Sequence, residues 1–199
     1  MVVLLDRLGE SERELPRLLA RDHQRGRNPL IERDRTRMTT PTPESYWVTD
    51  RLLAGKYPGS QFDEDAAEKV SALLDAGVRT FVDLTEDGEL LSYAHLLPVD
   101  VSHHRVAVPD VTCPRADQVR EVLDVIEQGA ARGVVYLHCR GGCGRTGVVL
   151  GCYLVEEGVD PDEALARVHA LTRSLWDWRC PETDAQVEMV RRWGTFAKG

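Results

Sequence analysis

The chain has 199 residues, 42% of them hydrophobic and 29% charged, with a formal net charge of −8. That length suits one domain with a core of its own. The longest mainly apolar run, residues 147–155, is less than half of the ~20 residues that a membrane span requires, so a transmembrane protein is excluded. The acidic balance argues against a general nucleic-acid binder.

The first 40 residues hold nine Arg and seven Asp or Glu, which leaves the remainder with a net charge of −10. Asp6, Arg7, Glu10 and Glu12 arrive too early for the apolar middle of a signal peptide. No aromatic residue occurs before Tyr46. Residues 1–43 therefore read as a charged extension, disordered or loosely helical. Leu4, Leu5, Leu8, Leu15, Leu18 and Leu19 could share one face of such a helix. A second Met at position 38 offers an alternative start, and the folded domain is expected over residues 44–199.

Residues 46–48 and 52–54 read as short strands about a turn. Apolar residues at 66, 67, 70, 73, 74 and 76 predict a helix that Gly77 stops. Residues 78–84 form a β-branched, apolar stretch that reads as a buried strand. A loop follows in which Asp83, Glu86 and Asp87 would stand at a pocket rim. Val106 and Val108 lead into the loop of Pro109 and Asp110, and residues 116–131 carry a second helical pattern. Residues 134–138 are a core strand, followed by a strongly apolar helix over 144–157. Asp160, Pro161 and Glu163 form a helix start with an N-cap, Pro at the first position and Glu at the third. A last helix is expected from about Pro181 to Trp193. Strands alternating with helices predict an α/β domain, with a central, mostly parallel sheet flanked by helices.

The cysteines at 113, 139, 143, 152 and 180 are odd in number and show no regular disulfide spacing. They are expected to be reduced thiols, with the protein in the cytoplasm. No metal-ligating pattern stands out, and no cofactor is expected. The adjacent His103 and His104 would face opposite ways on a strand.

One stretch carries chemistry: residues 138–147, His-Cys-Arg-Gly-Gly-Cys-Gly-Arg-Thr-Gly, between the core strand and the buried helix. Its glycines allow the backbone to wind tightly with amides turned inward, and such a ring at a helix N-terminus cradles an anion. Arg140, Gly141, Gly142, Cys143, Gly144 and Arg145 would form that cradle. Cys139 sits where amides and the helix dipole favour a thiolate. Arg145 has the fork geometry to clasp two phosphoryl oxygens. Gly142, Gly144 and Gly147 also match a dinucleotide fingerprint, but that motif belongs at the first strand of a longer α/β unit, and only 52 residues follow Gly147. A nucleotide P-loop needs Gly-Lys-Ser/Thr, and the lysines are at 56, 69 and 198.

The sequence His138-Cys139-x5-Arg145-Thr146, with Val135–Leu137 before it and residues 148–154 after it, resembles the signature of the protein tyrosine and dual-specificity phosphatases. The likeness runs from about Tyr46 to Trp193 and is to the small atypical dual-specificity group. It implies a cysteinyl-phosphate mechanism without a metal. It implies an acid on a loop some 30 residues before the cysteine, a place Asp110 fills at 29. It implies that Thr146 gives its hydroxyl to the thiolate, that His138 shapes the loop, and that Gln186 places the hydrolytic water. Beside Cys139, Cys143 could trap the oxidised nucleophile as a disulfide, with Cys113 and Cys152 as rivals.

The domain is short for a phosphotyrosine-recognition loop, so phosphoserine and phosphothreonine are expected beside phosphotyrosine. The expected partner is a phosphorylated protein or small phosphoester substrate, with no nucleic acid and no membrane, and the chain is expected to be a monomer. The alternatives are an inositol-phosphate or other non-protein phosphomonoesterase, and a catalytically silent phosphate-binding module.

Overall fold

A computed structural model describes residues 39–196. The extension with its leucine face and the alternative start at Met38 lie outside the described residues. Five strands form one sheet: β1 (Ser45–Trp47), β2 (Leu52–Gly55), β3 (Val78–Asp83), β4 (Ser102–Arg105) and β5 (Val134–His138). Their order is β1-β2-β5-β3-β4. Only the β1–β2 pair is antiparallel; β5 pairs in parallel with β2 on one side and β3 on the other. The expected mostly parallel sheet is present.

Five α-helices surround it among the described residues: α1 (Asp63–Asp75), α2 (Ala116–Ala130), α3 (Gly144–Glu156), α4 (Pro161–Thr172) and α5 (Asp184–Phe196). Alternate side chains of β5 leave by opposite faces, as strand geometry requires. Val135 and Leu137 join a cluster with Ile126, Val149, Leu150 and Trp193, beneath α2–α5. Val134 and Tyr136 join Val70, Leu73, Phe81 and Tyr93 on the face that α1 covers. Both faces are thus buried, which is why residues 134–137 of β5 read as an unbroken apolar run rather than an alternating one.

The cap read at Asp160 is formed: its carboxylate accepts from the amides of Asp162 and Glu163 at 3.0 and 3.3 Å. The structure differs from expectation at the last helix and at one strand. The last helix starts at Asp184, and Glu182 instead lines a cavity with residues 139–141. Strand β4 was not evident, because its residues Ser-His-His-Arg carry no apolar alternation. It is an edge strand held by pairing with β3. His103 and His104 do diverge: His103 reaches Asp83 at 3.3 Å, whereas His104 is exposed. No helix among the described residues is long and apolar enough to cross a membrane.

The carboxyl ends of β2, β3, β4 and β5 lie along one edge of the sheet. Ligands of open α/β sheets bind there, where neighbouring strands send their connections to opposite sides.

Candidate active site

The phosphate-binding loop leaves β5 at His138 and enters α3 at Gly144. Cys139 is 3% exposed, and the amide of Gly142 donates to its Sγ at 3.3 Å. The left-handed φ of +68° at Gly142 turns that amide inward. A Cβ there would stand 2.4 Å from the carbonyl of Gly55, so no other residue fits without moving the end of β2. The outer carbonyls are fastened too. Tyr46 donates its hydroxyl to Gly142 O at 2.7 Å, and Trp176 its indole N–H to Gly141 O at 2.8 Å. The amide of Tyr57 donates to Arg140 O at 3.1 Å.

Arg145 lies on the first turn of α3, and its side chain is 2% exposed. Nη1 donates to Val108 O and Glu89 Oε2, both at 2.8 Å. Nη2 donates to Glu89 Oε1 at 2.8 Å and forms an ion pair with Asp110 Oδ1, also at 2.8 Å. Burial works against this charge, but the paired carboxylates and the Cys139 sulfur more than offset it and hold the guanidinium protonated. In turn, Arg145 holds the Glu89 carboxyl below its usual range.

Asp110 leans over the loop from the β4–α2 connection. Its Oδ2 lies 3.9 Å from Arg140 Nη1, and its Oδ1 also accepts from the amide of Val111. Val111 has φ +61°, costly for a β-branched residue, and its side chain is exposed at the mouth. Asp110 does not cap the following helix, whose N-cap is Arg115. Cys139, Asp110, Arg140, Arg145, Lys56, Val111, Trp176 and Glu182 line one cavity of about 350 Å³. The structure therefore brings the expected nucleophile, cation and acid together.

His138 lies beneath the loop with no exposure. Its Nε2 meets the Tyr93 hydroxyl at 2.6 Å, and its Nδ1 faces Asp83 Oδ1 at 3.9 Å, beyond hydrogen-bond range. Burial pushes its pKa down to about 4, although the Asp83 charge pulls the other way. The ring is therefore neutral, and it accepts from Tyr93, whose own proton burial retains. Asp83 is not at the rim. It is fully buried and accepts from the amide and hydroxyl of Thr85 at 2.8 and 2.6 Å. Arg105 Nη2 adds a contact at 3.0 Å. Burial raises the pKa of this carboxyl, but the bond with His103 and those from Thr85 outweigh it and hold the group below the usual carboxylate range.

Gln186 is wholly buried rather than on a helix surface. Its Oε1 accepts from the amides of Glu182 and Thr183, and its Nε2 donates to Thr112 O at 2.8 Å. It therefore ties the start of α5 to the loop that carries Asp110. Thr146 is buried, but its hydroxyl has no hydrogen-bond partner; the expected bond to Cys139 is not formed.

Cys143 requires a correction. It is bonded to Cys180, with the two Cα atoms 5.2 Å apart, so it is not a spare thiol for Cys139. The expectation of five reduced thiols fails with it: the free cysteines are Cys113, Cys139 and Cys152. A separation of 37 residues between Cys143 and Cys180 gave no sign of the pairing. Burial raises the thiol pKa of both Cys113 and Cys152, which keeps them protonated and poorly nucleophilic. Sequence reasoning also missed Glu89, Trp176 and Glu182. The Arg145 partner could have been sought among acids between β3 and β4, but nothing marked Glu89 above its neighbours.

A family model described as "Polymorphic toxin system, DSP-PTPase phosphatase" matches residues 57–159. The tyrosine phosphatase homologue 067L of Invertebrate iridescent virus 3 is 32% identical over 171 residues, covering 76% of this chain and 66% of the viral protein. Protein tyrosine phosphatase domain-containing protein 1 of Mus musculus is 27% identical over 141 residues, covering 63% of this chain and 19% of its own. The chain thus spans about two thirds of the viral relative and a fifth of the mouse one. Among solved structures, Tk-PTP in its active form superposes with a TM-score of 0.64 at 24% identity, covering 77% of this chain and 97% of that one. TpbA of P. aeruginosa, in complex with pTyr, has a TM-score of 0.55 at 21% identity, covering 87% and 100%. PTPMT1 in complex with PI(5)P has a TM-score of 0.60 at 19% identity, covering 78% and 97%. At these identities, the structures are similar in fold.

Proposed function

The chain belongs to the dual-specificity and tyrosine phosphatase (DSP-PTPase) family, and on that premise we propose that it hydrolyses phosphotyrosine, together with phosphoserine and phosphothreonine, in phosphorylated proteins. The observation that carries this reading is the meeting of Cys139, Arg145 and Asp110 in one small cavity.

The Cys139 thiolate attacks phosphorus in line, forming an S–P bond as the P–O bond to the leaving group breaks. Loop amides and the Arg145 guanidinium stabilise the equatorial oxygens, where charge develops. Asp110 acts as the general acid and gives a proton to the departing oxygen. As a carboxylate it then takes a proton from water, which attacks the cysteinyl phosphate; the S–P bond breaks and phosphate leaves. Before substrate arrives, Asp110 rests on an edge of Arg145 that a phosphoryl oxygen would claim, so binding also frees the acid. Gln186, through Thr112, sets the position of the acid loop. None of these steps calls on a metal.

A cytoplasmic location is the reading from the sequence. The Cys143–Cys180 bridge weighs on the other side, because such bonds are rare in reducing compartments.

The test is turnover of p-nitrophenyl phosphate without added metal, followed by phosphotyrosine, phosphothreonine and inositol-phosphate substrates. Vanadate-sensitive turnover that Cys139→Ser abolishes is the expected result. No turnover by the wild type, or full activity in Cys139→Ser, overturns the reading. Faster turnover of inositol phosphates than of phosphopeptides would replace the protein substrate with a non-protein one.

A further inference from the structure

Beyond the phosphate-binding atoms, the mouth of the Cys139 cavity has two apolar walls. Val111 stands on one, with 64% of its surface exposed. A glycine would make that positive-φ turn at lower cost, so the turn alone does not account for an isopropyl group there. Trp176, from the α4–α5 connection, forms the other wall.

Three contacts fix Trp176 before any substrate arrives. Its amide donates to Thr172 O at 3.0 Å, closing the turn that ends α4. Its indole N–H donates to Gly141 O at 2.8 Å, so the ring is registered against the loop itself. Lys56 Nζ lies 4.6 Å from the ring centroid and holds the ring by cation–π attraction. Trp178 packs against Trp176, with centroids 4.4 Å apart and planes inclined by 36°, and half of its own area is exposed. A rigid aromatic ledge beside a nucleophile binds a flat ring at little ordering cost. A small alkyl group gains far less from it.

We infer that Trp176 is a specificity-determining residue, which selects phosphomonoesters of aromatic alcohols, phosphotyrosine included, over alkyl phosphates. This inference rests on the phosphatase reading above and adds to it a residue that sets the preference within the substrate class.

The experiment compares kcat/KM for phenyl phosphate and for β-glycerophosphate in the wild type, Trp176→Ala and Trp176→Phe, with vanadate inhibition of each. Comparing each variant's ratio with that of the wild type cancels the intrinsic difference between the two leaving groups. Trp176→Ala is expected to lower the aryl-to-alkyl ratio by about 3- to 10-fold, the size of an aromatic pair contact. Trp176→Phe keeps a ring but loses the bond to Gly141, and its ratio should stay within about twofold of the wild type. An unchanged ratio in Trp176→Ala overturns the inference. So does a parallel loss of both substrates and of vanadate binding, which marks a residue that only props up the loop. A Trp176→Phe ratio as low as that of Trp176→Ala overturns it too.

If the wild type hydrolyses neither ester, the phosphatase reading fails by itself. Calorimetry then decides the ledge alone, with tighter binding of phenyl phosphate than of glycerol phosphate required, and required to depend on Trp176.

Discussion

The carboxylate of Glu89 accepts from both terminal nitrogens of Arg145, Oε2 from Nη1 and Oε1 from Nη2, each at 2.8 Å. The two side chains are 10% and 2% exposed, so this fork is almost dry. It fixes the guanidinium plane and leaves the rest of the cation aimed at the cavity. The amide of Glu86 donates to the same carboxylate at 3.0 Å, which makes the β3–β4 connection part of the clamp.

Glu89→Gln should therefore weaken catalysis although Glu89 does not touch the substrate. One of the two charged acceptors becomes an amide, and a hydrogen bond to a charged group contributes roughly 1.5–3 kcal/mol. A loss of about 10- to 100-fold in kcat/KM is expected. Steady-state kinetics on p-nitrophenyl phosphate check it; an unchanged value would show that the charge of Glu89 is not needed to hold Arg145.

Asp110→Asn removes the transferable proton but keeps the shape. General acid catalysis contributes about 10²–10⁴-fold, so kcat should drop by that order for leaving groups that need protonation. The drop should be smaller for p-nitrophenolate, which departs as a stable anion. Equal losses for good and poor leaving groups would assign Asp110 to phosphate binding rather than to proton transfer.

Thiol titration of the unreduced protein should find three reactive groups after denaturation, against five after reduction, because Cys143 and Cys180 are joined. Cutting a bridge that spans 37 residues is expected to cost about 2–4 kcal/mol of stability. Cys180→Ser should therefore lower Tm and shift the urea midpoint in the same direction. Five free thiols in the unreduced protein, together with an unchanged Tm in Cys180→Ser, would disprove the bridge.

The neutral burial of His138 sets a pH dependence of stability. Its folded pKa lies near 4, below the ordinary value of 6.5. Between those values the unfolded chain takes up a proton that the folded protein refuses, so stability falls as pH drops from about 6.5 to about 4. The loss is on the order of 3 kcal/mol across that window. Asp83 shifts the opposite way from burial alone: its lowered pKa adds stability that is lost only at still lower pH. Urea midpoints at several pH values check this. The slope should flatten in His138→Gln, and a wild-type profile flat from pH 7 to pH 4 would contradict it.

Local chemistry made the strand–loop–helix unit around Cys139 legible in the sequence. The β-branched residues of β5, the glycines and the apolar α3 each act through near neighbours, and the structure agrees with them closely. Asp110 was legible only by resemblance, since nothing local distinguishes a loop aspartate that reaches an arginine 35 positions on. Glu89, Trp176 and the Cys143–Cys180 bridge were not legible. Each depends on which connections meet at one edge of the sheet, a property of strand order rather than of any window of sequence. The burial of Asp83 and Gln186 escaped notice for the same reason, because polar residues announce their partners only in three dimensions. β4 escaped because an edge strand of polar residues has no pattern to show.

The edge of the sheet also divides labour. The connection after β5 supplies the nucleophile and amides, the one after β3 the Glu89 brace, the one after β4 the acid, and the one after β2 the Lys56 cation. Trp176 arrives separately, from beyond α4. The Trp176 ledge thus enters from a stretch of chain apart from those that bring Cys139, Glu89 and Asp110, over a common frame. Exchange of residues in the α4–α5 connection could therefore change the ring preference without replacing any of those three side chains, which makes it the natural place to retarget this scaffold.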